Sequence, residues 1–190
     1  MSTFRLSMTA LALLVTAACE KAGEAPEPTL HEVMTGDIDP VADVIWEVSS
    51  RAYGEDGNAQ AGLLTAKDWS DIARAARKLH DGAAIIVANP DLQVVRPGTK
   101  ILDEGTVPEA VTAAQVASYV ERDRPGLARH ARELSDIALG IEAAAKARDH
   151  ATTVKLSEDL DYVCEGCHQR FWYPDQKTLI EYKNSRKVGD

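Results

Sequence analysis

From residue 30 onward the apolar positions recur at steps of three and four, and sustained two-residue alternation is almost absent. That periodicity predicts helices rather than strands. Met34, Ile38, Val41, Ile45 and Val48 fall on one face of a first helix. Asp39-Pro40 interrupts it. Pro40 can be the first position of a helix capped by Asp39, or it can sit at a kink. Thr65, with Asp68 three places on, forms a weak capping box that opens a second helix over about 66–88. Its buried stripe is Trp69, Ile72, Ala76, Leu79, Ala83 and Ile86. Residues 89–111 hold three prolines and two glycines and read as a long connection, pinned to the core by Val94, Val95, Ile101 and Leu102. A short helix over 112–122 turns Val116, Tyr119 and Val120 inward ahead of Pro125. A third main helix then runs to about 148 with Leu127, His130, Leu134, Ile137 and Ile141 on its stripe. The fourth, over about 151–172, buries Leu156, Leu160, Val163, Cys164, Cys167 and Phe171. Four amphipathic helices without an internal repeat predict an all-α fold, an antiparallel four-helix bundle.

The first 29 residues follow a different rule. Residues 1–18 read as an export signal peptide: Arg5, an apolar run from Met8 to Val15, then Thr16-Ala17-Ala18. Cys19 follows at the position that resembles the acylated cysteine of bacterial lipoproteins. The match departs from the usual pattern at Thr16, where Leu, Val or Ile is expected, and the rival reading is cleavage beside Ala18 to release a soluble exported protein. Residues 19–29 then act as a lipoprotein-like tether without apolar periodicity. The domain occupies 30–190 in this reading, and its expected location is periplasmic, held at a membrane through Cys19.

Composition adds two exclusions. With 45% hydrophobic and 27% charged residues, the 190-residue chain is not a disordered one. Its net charge of −9 argues against nucleic-acid binding. Removal of 1–18 takes away Arg5 and no acidic residue, leaving −10. It also leaves one methionine, Met34, one phenylalanine, Phe171, and two cysteines beyond the lipid position, Cys164 and Cys167.

Those two cysteines carry the chemistry. Cys164-Glu165-Gly166-Cys167-His168 has the spacing of a c-type haem attachment sequence. Cysteines three apart on a helix share a face, so both thiols can bond the vinyl groups along one haem edge. The adjacent histidine then offers its imidazole to the iron as an axial ligand. A structural zinc site would need four ligands, and the mature domain has no second cysteine pair. A thioredoxin-like pair would need a βαβ setting. A plain disulfide suits an exported protein but gives no role to His168.

The position of this sequence on the last helix, followed by Phe171 three after the histidine, resembles the class II cytochromes c, cytochrome c′ and its low-spin relatives such as cytochrome c-556. The resemblance covers roughly residues 30–172. One departure is Trp172, where cytochromes c′ usually carry a basic residue; the nearest one here is Arg170. The resemblance implies one covalent haem c held by Cys164 and Cys167, with His168 on the iron. It also implies a homodimer. In the low-spin members a methionine on the first helix is the sixth ligand, and Met34 looks like that residue. Core filling is the bland role for Met34. His130 and His31 are rival ligands, each also readable as a partly exposed side chain or a propionate partner.

Met/His iron has no open site, so the expected function is electron transfer with redox partner proteins and not an enzyme reaction. The alternative is a five-coordinate, cytochrome c′-like protein that binds NO or CO, in which Met34 stays off the iron. An exported helical binding lipoprotein with a simple disulfide is a third reading.

Overall fold

The structure, a computed structural model, describes residues 26–102, 104–105 and 110–174. The signal segment 1–18, Cys19 and the first part of the tether lie outside the described residues. The chain is all-helical, with no strand among the described residues beyond one isolated bridge between Tyr53 and Ala59. In order come α1 (Leu30–Val33), a π-helical segment (Met34–Ile38), α2 (Asp39–Ser50), a 3-10 turn (Ala61–Leu63), α3 (Ala66–Ala88), α4 (Ala113–Arg122), α5 (Arg124–Ala147) and α6 (His150–Phe171). None of the described helices is long and apolar enough to cross a membrane.

The helix starts are chemically marked. Thr29, Thr65 and Thr112 each accept a hydrogen bond from the amide three residues on, and Glu32, Asp68 and Gln115 reach back to the cap amide. Each box satisfies two amides that a helix start leaves unpaired. Asp123 and Asp149 cap α5 and α6 through Gly126 N and Thr152 N. Arg148 closes α5 in the left-handed conformation at φ 55°.

Pro40 sits at a helix start, as one of the two expectations has it, but Asp39 is already the first helical residue and Ile38 the flanking one. The proline lies in the first turn of α2, and the chain enters α2 directly from the π segment, whose end is marked by the Asp39 amide bonding back to the Met34 carbonyl. A proline has no amide to give and crowds the preceding turn, and one extra residue in that turn absorbs both effects. Gly82 of α3 lets this wider turn come close: a Cβ there would stand 3.2 Å from Asp37 Cβ and from Ile38 Cγ1.

α3 packs most extensively on α5; α5 also packs on α6, and α2 lies against both α3 and α6. The expected α3 stripe is buried throughout, from Trp69 to Ile86. On α5 the stripe is rotated from the expected one. Ala131 and Ala138 are buried with Leu127, Leu134 and Ile141, whereas His130 and Ile137 are half-buried. On α6, Leu160 and Phe171 are buried, while Leu156, Val163, Cys164 and Cys167 are half-buried. In the connection after α3, Leu92, Val94 and Ile101 are buried, but Leu102 is 72% exposed and does not pin the loop to the core.

That connection instead straps the N-terminal turn. The Leu30 and His31 amides, which α1 cannot pair internally, donate to the Gln93 and Val94 carbonyls at 2.7 and 2.9 Å. Arg96 grips both carboxylate oxygens of Glu32, at 2.6 and 2.9 Å. The segment that carries His31 and Met34 is therefore fixed from outside.

Candidate functional site

Where α6 ends, it faces the first turns of α1 and α5 across a mostly apolar cavity of about 390 Å³. Its volume lies in the range of small-molecule and cofactor sites. Cys164, Cys167 and His168 line it from α6, His31 and Met34 from the strapped turn, and His130 from α5. The sequence-predicted site residues of the domain thus meet at one place. His80 and His150 do not line it; the His80 ring is held by Ser135 Oγ at 2.8 Å between α3 and α5.

Cys164 and Cys167 are one helical turn apart, both thiols unbonded. Burial pushes both up to about 12, reinforced by Asp161 and Asp39 beside Cys164, and by Cys164 and Glu133 beside Cys167. Both thiols are therefore held in the neutral form. No cluster of three or more His, Cys, Asp or Glu suited to a metal ion occurs among the described residues.

The end of α6 folds its own aromatic residues over the site. The Trp172 and Tyr173 amides both donate to the His168 carbonyl, at 2.7 and 3.0 Å. Their rings stand 6.5 and 6.0 Å from the imidazole, tilted at 51° and 57°. The Tyr173 hydroxyl donates to the Glu165 carboxylate, and burial together with that bond raises the phenol above its ordinary value. Arg170 points away and pairs with Asp123 at 2.9 Å, tying the end of α6 to the start of α5.

His130 packs against α6 from the other side. Its ring meets Phe171 edge to face at 6.1 Å and 87°. Its Cε1 lies over Gly166, 3.7 Å from where a Cβ would stand, an ordinary van der Waals distance. His130 Nδ1 is buried and has no hydrogen bond. The Glu133 carboxylate lies 3.2 Å away but outside hydrogen-bonding geometry. A buried ring nitrogen without a partner is uncommon enough to need an explanation.

Several cavity residues were invisible to periodicity. Asp39, Asp43 and Trp46 line it from α2, and Trp172 and Tyr173 from beyond α6. Burial raises the Asp39 carboxyl, and the nearby His168 acts in the opposite direction. The one available signal was the run Phe171-Trp172-Tyr173, in a chain only 5% aromatic.

Comparison with protein-family models, with curated proteins and with solved structures finds no match for this chain.

The residues present fit a haem. Two neutral thiols on one helical face, a neighbouring imidazole and apolar walls make a donor set suited to it, and the thioether of Met34 and the imidazoles of His31 and His130 line the same cavity.

Proposed function

We propose that this chain is an exported c-type cytochrome of the class II kind, a four-helix bundle formed by α1–α2, α3, α5 and α6 with one covalent haem c. Cys164 and Cys167 would hold the porphyrin through thioethers, and His168 would be the axial ligand. Met34 would be the sixth ligand, so that no coordination position is open. The observation that carries the reading is the shared cavity: the attachment sequence at the end of α6 and the single methionine of the mature chain line the same space.

An iron porphyrin supplies a reversible one-electron couple, and a Met/His pair of ligands raises its potential relative to bis-His iron. The protein's part is binding and exclusion. The Gln93, Val94 and Arg96 contacts hold the turn carrying Met34, so its thioether needs little reordering to meet a ligand site. Trp172 and Tyr173 pack beside His168 just past the end of α6. Apolar residues such as Ile38, Leu127 and Leu134 keep the cavity dry, which disfavours charge on the buried groups and thereby tunes the couple. The export signal over 1–18 accords with haem attachment outside the cytoplasm. Acylation of Cys19 would hold the domain at a membrane beside its redox partners.

The test is expression in a host that exports proteins and attaches c-type haem, followed by a denaturing gel stained for haem peroxidase activity. A stained band at the protein's mass is expected. An unstained band, with Cys164 and Cys167 recovered as thiols or as a disulfide, would contradict the proposal.

A further inference from the structure

One indole belongs to two concavities. Trp46 lines the cavity from α2 and also lines an open groove between α2 and α6, together with Tyr53, Val154, Glu158, Asp161 and Tyr162. The indole is pinned: its Nε1 donates to the Ser157 carbonyl at 3.1 Å, and Ser157 Oγ shares a hydrogen bond with Ser49 Oγ at 2.9 Å. The rim of the groove exposes aromatic surface, Tyr162 at 76% and Tyr53 at 37%. Aromatic groups at a protein surface are favoured at the centres of protein contacts.

The groove is net acidic. Three carboxylates, Glu158, Asp159 and Asp161, line it against a single cation, Lys155, which Asp159 already neutralises. Exposed Asp43 lies on α2 at the rim of the neighbouring cavity and extends the acidic band. We propose that this groove is the docking surface for a one-electron redox protein whose contact face is rich in lysine and arginine. The inference rests on the electron-transfer reading and names the partner chemistry and the entry face that reading leaves open. A second copy of this chain fits poorly, since a two-fold contact would set these carboxylates against their own copies. An anionic membrane surface is repelled for the same reason. Docking itself makes and breaks no covalent bond, and Trp46 is the side chain that links the contact face to the cavity wall.

The test uses the isotope-labelled exported holoprotein and mitochondrial cytochrome c, a lysine-rich one-electron protein, as the basic probe. Amide and indole shifts should concentrate at Tyr53, Trp46, Glu158 and Tyr162 and disappear at high salt. Glu158→Lys with Asp161→Lys should weaken association at least tenfold. Asp81→Lys with Asp136→Lys, which makes the same charge change on α3 and α5, should weaken it far less. The milder pair Glu158→Gln and Asp161→Asn serves if the reversed variant fails to fold, and should still weaken binding several-fold. Equal losses from both pairs of sites, shifts centred elsewhere, or self-association through the groove would overturn the proposal. Failure here is separable from failure of the haem reading, because the optical spectrum of covalent haem is recorded on the same samples without the probe.

Discussion

Along the contact of α3 with α5, Leu79, Ala83, Ala138 and Ile141 have no accessible surface, and the polar groups beside them are paired. Glu142, itself buried, receives Arg77 at 2.5 Å and Lys146 at 2.6 Å, and His80 is held by Ser135. At the far end of α6 the rules are relaxed. Met34, Cys164, Cys167 and His168 are half-buried around a cavity; His130 Nδ1 there is buried without a hydrogen bond, as are His150 Nε2 and Thr153 Oγ1 at the start of α6. The first region is closely packed with its charges paired, while the second surrounds a mostly apolar cavity. The π segment belongs to the second region, and such insertions recur at functional sites.

The contrast can be broken at either end. The largest expected effect is at the cavity: replacing Cys164 and Cys167 with serine should abolish covalent haem, read as complete loss of the haem-stained band on a denaturing gel. Next comes Leu79→Ala, in the closed seam. It should cost about 2–5 kcal/mol of unfolding free energy in urea titration while leaving the haem spectrum in place. A spectral change as large as that of a ligand variant would show that the two regions are not separable.

A smaller effect tests the paired charges. The Lys146 hydrogen bond, and then that of Arg77, hold the Glu142 carboxyl below its ordinary value. A carboxyl whose value is lowered by folding adds stability at neutral pH, and that stability is lost as pH falls from the unfolded value of 4.5 toward the lower folded one. Glu142→Gln should therefore cost about 1–2 kcal/mol at pH 7 and flatten the acid limb of the stability curve. Chemical denaturation at pH 7 and below pH 4 reads both.

The smallest effect sharpens the contrast at the strap. Arg96 and Glu32 are each substantially exposed, so Arg96→Ala should cost less than about 1 kcal/mol globally. Its signature should be local: faster amide exchange at Leu30 and His31, with α3 and α5 unchanged.

Much of this was readable in the chain before the fold. The Thr65–Asp68 pair marked the start of α3 because its chemistry is local, and the large apolar residues of α3 left one choice of face. The equivalent Thr112–Gln115 pair lay behind a proline-rich stretch that supplies no periodicity. α5 was misaligned by a few tens of degrees because Ala131 and Ala138 carry little hydrophobic signal, although helix packing favours small side chains where helices approach closely. The π segment was not legible, since Pro40 is compatible with a start or a kink and neither implies an inserted residue ahead of it. Cys164, Cys167 and His168 stand out in the chain by their spacing, and the structure brings them to one cavity with Met34. Trp46 does not stand out, because its two roles depend on which helices flank α2.

The most direct test is an optical spectrum of the exported holoprotein, ferric and ferrous, with and without carbon monoxide, for the natural chain and for Met34→Ala. With Met34 on the iron, the natural protein should be low-spin in both states and unaffected by carbon monoxide, and Met34→Ala should become high-spin and bind it. A natural protein that is high-spin and binds carbon monoxide at once would contradict six-coordinate electron transfer. A Met34→Ala spectrum identical to the natural one would move the sixth ligand to His130 or His31.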